Sequence, residues 1–155
     1  MRFWWRVTRF DPAHRDARGA YRRDTWTSIG DVGGSFEDGE LTLETYLRVE
    51  DAYVEAVAAF ADGTGAERLV IGELDYGEGL REGQVLSIAE ARDVVRRMLR
   101  EDVSCKLQSP DGRFAVHVGF DLYMYIGSAE PCTAAVRDAR ASGLFVEEGG
   151  SSPYG

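Results

Sequence analysis

The chain has 155 residues, 44% of them hydrophobic, and its formal net charge is −9. This length suits one domain with its own core, so we predict a single α+β domain over residues 1–155, with a frayed tail at 147–155. No stretch approaches the roughly 20 apolar residues that span a bilayer, and the first residues lack a signal-peptide pattern. We therefore expect a cytoplasmic protein that is not embedded in a membrane.

The first half of the chain contains one strand, one irregular segment and one helix. Apolar and polar residues alternate over 2–9, which predicts the strand. Residues 12–40 are rich in Arg, Asp, Gly and Ser, and long irregular segments of this kind are usually functional or mobile. Apolar residues at helical spacing from Tyr46 to Phe60, with Thr42 as N-cap, predict the first helix.

The middle of the chain continues with a strand, a helix and another strand. The apolar run within 67–74 predicts the second strand. Ser87 and Glu90 form a capping box ahead of an apolar stripe that ends at Leu99, which predicts the second helix. Residues 103–108 predict the third strand.

The last third of the chain begins with a turn at Ser109–Gly112, which leads into the alternating segment 114–126. Pro131 opens a third helix that stops at Gly143, and residues 144–146 form a short last strand. The order β-α-β-α-β-β-α-β predicts one mixed or mainly antiparallel sheet with the helices packed on one side.

Residues 114–126 alternate strictly, and every even-numbered residue among them is apolar. One face of this segment is therefore a core face. Two structures keep that parity: a single strand bent by a bulge at Gly119, or a hairpin with a three-residue loop at 119–121. A two-residue loop would mix the two faces and is excluded. We favour the bent strand because it buries Phe120 and explains the glycine.

The opposite face of the same segment carries a polar stripe of His117, Asp121, Tyr123 and Tyr125. A carboxylate and an imidazole could act as acid and base, with the phenols holding a substrate. Tyrosine is also enriched at protein interfaces, and the stripe could equally lie under other elements as packing. We favour binding over catalysis and assign no catalytic residue.

Charge is distributed unevenly along the chain. Residues 1–30 hold seven arginines, whereas residues 31–90 hold fifteen acidic side chains and three arginines. The acidic region attracts basic partners and accelerates their encounter, although such runs often form only a solvated face. On the first helix, Glu50, Asp51 and Glu55 are the candidate contacts.

The arginine-rich N-terminus is interleaved with aromatic residues, among them Trp26, which we include in the candidate binding residues. Arginine and aromatic side chains together stack on bases and hold phosphates, which is the pattern of RNA binding. The acidic middle of the chain offers an internal alternative. We expect these arginines to dock onto it and consider nucleic acid the weaker prediction.

Metal and disulfide chemistry have few candidate residues in this chain. Cys105 and Cys132 lack the close spacing of a zinc motif, and His14 and His117 are the only histidines. Structural zinc sites need four such ligands in a compact pattern. We therefore predict no metal site and no cofactor, and we expect both thiols to be reduced and buried.

Several segments, headed by the run from Phe114 to Ser128, resemble a family of small, functionally uncharacterised bacterial proteins of about this length. The other matching segments are Trp26–Ser28, Tyr46–Asp51, Gly143–Glu148 and Ser152–Tyr154. More loosely, the size, acidity and α+β composition are similar to the acidic immunity proteins of bacterial toxin systems. The resemblance implies no activity and no functional residue.

These observations predict a non-enzymatic, acidic protein-binding domain that acts as an immunity-type inhibitor of a basic toxin. One alternative is a small enzyme or ligand-binding domain that uses the polar stripe around His117 and Tyr125. Another is RNA binding through the N-terminus.

Overall fold

The computed structural model describes residues 1–149. Seven strands form one antiparallel sheet in the order β5-β4-β6-β7-β8-β1-β9, and β2 and β3 form a separate short ladder. The strands are β1 (Phe3–Thr8), β2 (Ser35–Phe36), β3 (Gly39–Glu40), β4 (Arg68–Tyr76), β5 (Val85–Ser87), β6 (Ser104–Gln108), β7 (Phe114–Val118), β8 (Met124–Ser128) and β9 (Phe145–Glu148).

Three helices pack on one face of the large sheet, which confirms the predicted α+β fold with helices on one side. They are α1 (Leu43–Thr64), α2 (Ile88–Leu99) and α3 (Thr133–Ala141). α1 lies between the other two helices and contacts β7 and β8. None of the helices within residues 1–149 is both long and apolar enough to cross a membrane.

The helix ends follow the local signals of the sequence. Thr42 accepts a hydrogen bond from the Thr45 amide at 3.1 Å and caps α1, and Gly65, with a φ of 80°, ends it. The capping box of Ser87 and Glu90 is formed at the start of α2. Each such cap satisfies backbone groups that a helix end leaves without partners.

The core lies between the helices and the even-numbered face of β7 and β8. Phe114, Val116, Met124 and Ile126 are all fully buried there. Phe60 of α1 packs against the ring of Trp5 with centroids 4.9 Å apart. The strict alternation of the sequence therefore marks the core face as predicted.

The segment 114–126 is a hairpin, so the bent strand that the sequence favoured is wrong. Val118 of β7 pairs with Met124 of β8, and the Gly119 amide donates to the Tyr123 carbonyl at 2.7 Å. The three-residue loop is Phe120–Leu122, one residue later than expected. Phe120 is left 80% exposed. The exclusion of a two-residue loop is confirmed, because residues of like parity face each other.

Other differences concern short elements and the C-terminus. β5 and the β2–β3 ladder were not predicted, because two or three residues carry no readable period. The predicted frayed tail is wrong for residues 147–148, which belong to β9 and pair with β1. The rest of that predicted tail, from residue 150, lies outside the described residues. Pro131 precedes α3 instead of lying in its first turn.

Candidate functional site

One face of the large sheet carries no helix within the described residues, and we call it the open face. Direct cross-strand pairing places Lys106, His117, Tyr125, Arg6 and Glu147 in one row across five adjacent strands. Each of these residues is partly exposed. Paired residues on adjacent strands lie about 5 Å apart, so the row is a continuous polar surface.

A cavity of about 480 Å³ lies where the irregular segment 19–27 passes over the open face. It is lined by Arg6, Phe10, Gly19, Ala20, Tyr21, Arg23, Thr25, Thr27, Asp121, Tyr123 and Tyr125. Aromatic rings, hydroxyls and guanidinium groups dominate this lining. A concave surface of this size, with a few convergent polar groups, is typical of a binding site.

Glu147 holds one wall of the cavity together. Its carboxylate accepts hydrogen bonds from Arg6 Nε at 3.1 Å and from Arg15 Nη1 at 2.7 Å. The Arg15 hydrogen bond is the main reason why the pKa of Glu147 is lowered, and it outweighs the opposing effect of burial. β9, β1 and the irregular segment are thereby joined at one carboxylate.

Tyr123 forms the aromatic part of the wall. Its ring centroid lies 5.6 Å from the Arg6 guanidinium and 5.8 Å from that of Arg15. On another side the ring contacts Phe10, with centroids 5.3 Å apart, and Phe10 in turn contacts Tyr21. Cations over aromatic faces and tilted ring pairs both fix side-chain positions, so this wall is preorganised.

His117 pairs with Tyr125 on the neighbouring strand but lies outside the cavity. Asp121, Tyr123 and Tyr125 line the cavity, whereas His117 does not. Burial lowers the pKa of His117, and the nearby Lys106 lowers it further against the opposing effect of Glu73. The neutral form of His117 is therefore favoured over its protonated form.

Glu50, predicted as a surface contact, is buried between α1 and α2. Its carboxylate accepts hydrogen bonds from the Tyr46 hydroxyl at 2.7 Å, from Arg96 at 3.0 Å and from Arg100 at 2.7 Å. Burial opposes its ionisation, but the hydrogen bonds from these three residues prevail and the pKa of Glu50 is lowered. The Glu50 side chain is inaccessible to a partner.

The two neighbouring acids of α1 are exposed but matched by arginines of α2. Asp51 lies 2.6 Å from Arg96, and Glu55 forms an ion pair with Arg92. Together with the buried Glu50 they form an ion-paired seam between the two helices, which we call the α1–α2 seam. The acidic run of the sequence is therefore neutralised within the fold at this place.

Trp26 is also inside the protein, with 3% of its surface exposed. Its ring meets Tyr46 edge-on at 5.7 Å, and the Arg9 guanidinium lies over it at 3.8 Å. The N-terminal arginines do dock internally: Arg9 lies 3.7 Å from Asp38, and Arg23 lies 2.7 Å from Glu37. This agrees with the predicted docking onto the acidic middle, although Glu147 was not foreseen as an acceptor.

Sequence reasoning missed Arg6, Tyr21 and Arg23 as cavity residues. For Arg6 a signal existed, because it alternates with the core residues Trp5 and Val7 and must face away from the helices. Its position beside Tyr125 depends on the strand order, which parity alone does not provide. Tyr21 and Arg23 reach the cavity through an irregular segment that has no period at all.

Among residues 1–149, no group of three or more His, Cys, Asp or Glu side chains is placed to hold a metal ion. Comparison of the chain with protein families, with curated proteins and with solved structures finds no match.

Proposed function

We propose that this is a non-enzymatic binding protein and that a partner protein binds at the cavity on the open face. The observation that carries the proposal is the convergence of Asp121, Tyr123 and Tyr125 on the cavity wall, where Arg6 and Arg23 join them. Tyrosine and arginine are the residues most enriched where protein interfaces hold their binding energy. The preorganised wall reduces the entropy that a bound partner must overcome.

The lining favours binding over proton transfer. Tyrosine and arginine side chains ordinarily keep their protons far above neutrality, so they are poor groups for proton transfer at pH 7. The titrating imidazole of His117 lies outside the lining. A catalytic pair of Asp121 and His117 is therefore not supported.

For the class of partner we propose a basic protein, as expected of an immunity-type inhibitor that neutralises a toxin. The net charge of −9 supports this, because it attracts a basic protein over distance and raises the rate of encounter. The contacts themselves are assigned to the cavity, since its aromatic and guanidinium lining is preorganised, whereas Glu50 is buried.

A pull-down from the source cell at low and moderate salt tests this function. The wild type is compared with Tyr125→Ala, which removes one aromatic side chain from the cavity lining, and with Tyr76→Ala as a matched control. Tyr76 is 50% exposed and lies on β4, three strands away from β8. We expect a basic protein that is lost at moderate salt and with Tyr125→Ala, and retained with Tyr76→Ala. Capture that is equal in both variants, or no salt-sensitive basic protein at all, would contradict the proposal.

The cavity volume favours one second candidate, a small polar ligand. About 480 Å³ lies within the range of roughly 300–1,000 Å³ that is usual for small-molecule sites. A thermal-shift screen would show it as a compound that raises the melting temperature of the wild type but not of Tyr125→Ala. A compound that stabilises both equally would bind elsewhere.

A further inference from the structure

The tip of the β7–β8 hairpin presents one aromatic side chain to solvent. Phe120 is 80% exposed, and it is followed by Asp121 and Leu122, which both adopt a positive φ. Non-glycine residues in this region are uncommon, and two in succession fix an unusual tight loop. Among the large apolar side chains of residues 1–149, Phe120 is the most exposed.

The loop is held rigidly even though its tip is exposed. Leu122 is buried in the core, and its carbonyl accepts hydrogen bonds from the Thr8 hydroxyl at 3.0 Å and the Tyr53 hydroxyl at 2.7 Å. The Tyr123 amide donates to the Phe120 carbonyl at 3.2 Å and closes the turn. Phe120 is thus presented in a defined place, with little backbone entropy left to lose on binding.

The exposed ring lies beside a cavity that suits an aromatic ring. Asp121, the next residue, is part of the cavity lining, and Phe10, Tyr21 and Tyr123 supply the aromatic walls. Ring pairs at tilted or offset angles are favourable, and the guanidinium groups at the cavity add cation–π attraction. A projecting ring and a matching hollow therefore share one surface.

A twofold axis brings the same patch of two copies together, so a surface that carries both a projection and a matching hollow is self-complementary. We propose that two copies of this chain form a twofold dimer in which Phe120 of each copy enters the open-face cavity of the other. The inference goes beyond the proposed function and does not rest on it. The second copy and the partner protein would occupy the same cavity, so partner binding requires the dimer to dissociate.

Charge supports this occupant over a random apolar contact. When Phe120 enters the opposite cavity, the carboxylate of Asp121 moves with it toward the Arg6 and Arg23 of the second copy. Both arginines are ion-paired within their own chain and remain partly accessible, with side-chain exposures of 37% and 45%. Each can donate a hydrogen bond to a further carboxylate, since a guanidinium has five donors.

Sedimentation equilibrium of the full chain over a wide concentration range tests the dimer. We expect a concentration-dependent monomer–dimer equilibrium for the wild type. Phe120→Ala removes two buried rings per dimer and should raise the dissociation constant about 100-fold. Leu43→Ala is the matched control, because Leu43 is 52% exposed at the start of α1, and it should leave the dissociation constant unchanged. A wild type that stays monomeric, or a dimer that Phe120→Ala and Leu43→Ala weaken alike, would overturn the inference.

A complementation experiment tests the geometry itself. Ala20→Trp places a bulky ring in the cavity lining but keeps Phe120, whereas Phe120→Ala keeps the cavity. Each variant alone should be monomeric, and their mixture should form a heterodimer with one intact ring-in-cavity contact, weaker than the wild type. A mixture no more associated than its parts would contradict the arrangement. A monomeric wild type would leave the partner site of the proposed function in place, so the two proposals fail separately.

Discussion

The α1–α2 seam and the open face both contain charged and aromatic side chains, but these side chains are enclosed or ion-paired in the seam and line a cavity on the open face. In the seam, Glu50 is fully enclosed and accepts hydrogen bonds from three side chains. Each of the exposed acids beside it forms an ion pair with an arginine. On the open face, Glu147 is the carboxylate that ties the wall together, while Tyr125 and Arg6 still face a cavity. Density of charge in the sequence therefore does not locate a binding site. The positions of the countercharges in the fold determine which charged groups remain accessible to a partner.

The same comparison separates a structural polar cluster from a functional one. A buried ion pair fixes the packing of two helices, and loss of one member leaves an uncompensated charge. An exposed, preorganised wall contributes less to stability and leaves its donors available to another molecule.

Glu50→Ala should produce the largest loss of stability. The substitution removes the buried acceptor of Tyr46, Arg96 and Arg100. A loss of about 2 kcal/mol is expected, below that of a fully buried pair, because both arginines are about one-third exposed and Arg96 keeps Asp51 as a partner. Urea unfolding measures the effect. Glu55→Ala on the same helix removes only an exposed pair and should cost less than about 1 kcal/mol. Equal losses for the two variants would show that the buried Glu50 contributes no more to stability than an exposed acid of the seam.

Glu147→Ala should have an intermediate effect, because its hydrogen bonds to Arg6 and Arg15 are charge-assisted but partly exposed. A loss of about 1.5 kcal/mol in the free energy of unfolding is expected. The loss should diminish in acid, because the folded-state pKa of Glu147 is lowered. Its contribution is present above its ordinary pKa and is lost as the pH falls through the lower folded-state pKa. A loss that stays the same at low pH would contradict the assigned ion pair.

Asp121→Gly should stabilise the fold slightly and weaken dimerisation through the open face. Asp121 has a φ of 56°, which glycine adopts without strain. An increase of about 0.5 kcal/mol in the free energy of unfolding, measured by thermal unfolding, is therefore expected. Because the carboxylate is lost, dimerisation should weaken in the same variant. A variant less stable than the wild type would mean that the loop is not strained.

His117 should contribute the smallest effect, through pH. Its pKa is lowered by burial, so the unfolded chain takes up a proton at a higher pH than the folded protein. Stability should therefore decrease as the pH falls from the ordinary histidine pKa of about 6.5 toward the lower folded value. His117→Gln should remove that part of the pH dependence in chemical unfolding, and an unchanged profile would refute the assigned shift.

The sequence predicted what is local and missed what depends on distant contacts. The capping box at Ser87 and the core parity of 114–126 follow from neighbouring residues and are confirmed. The position of the hairpin loop was wrong because Asp121 and Leu122 adopt left-handed conformations that no glycine announces. Of the two predicted core residues at the turn, Leu122 is buried and Phe120 is exposed. The Leu122 carbonyl is held by hydrogen bonds from Thr8 and Tyr53, which lie far away in the chain.

The candidate site was predicted only in part for the same reason. Tyr123 and Tyr125 were identified because they share one strand face. The burial of Glu50 depends on where α2 places its arginines, and the cavity depends on how the irregular segment crosses the sheet. Neither arrangement leaves a period or a motif in the sequence.

Binding isotherms of the captured partner protein, measured with two variants side by side, distinguish the open face from the α1–α2 seam as its binding surface. One variant is Tyr125→Ala on the open face, and the other is Asp51→Asn with Glu55→Gln in the seam. We predict that Tyr125→Ala weakens binding at least about tenfold, the loss expected for a central interface residue, while the double variant changes it less than about twofold. The opposite order, with the seam variant weakened and Tyr125→Ala unaffected, would place the binding surface on the acidic helix and contradict the account.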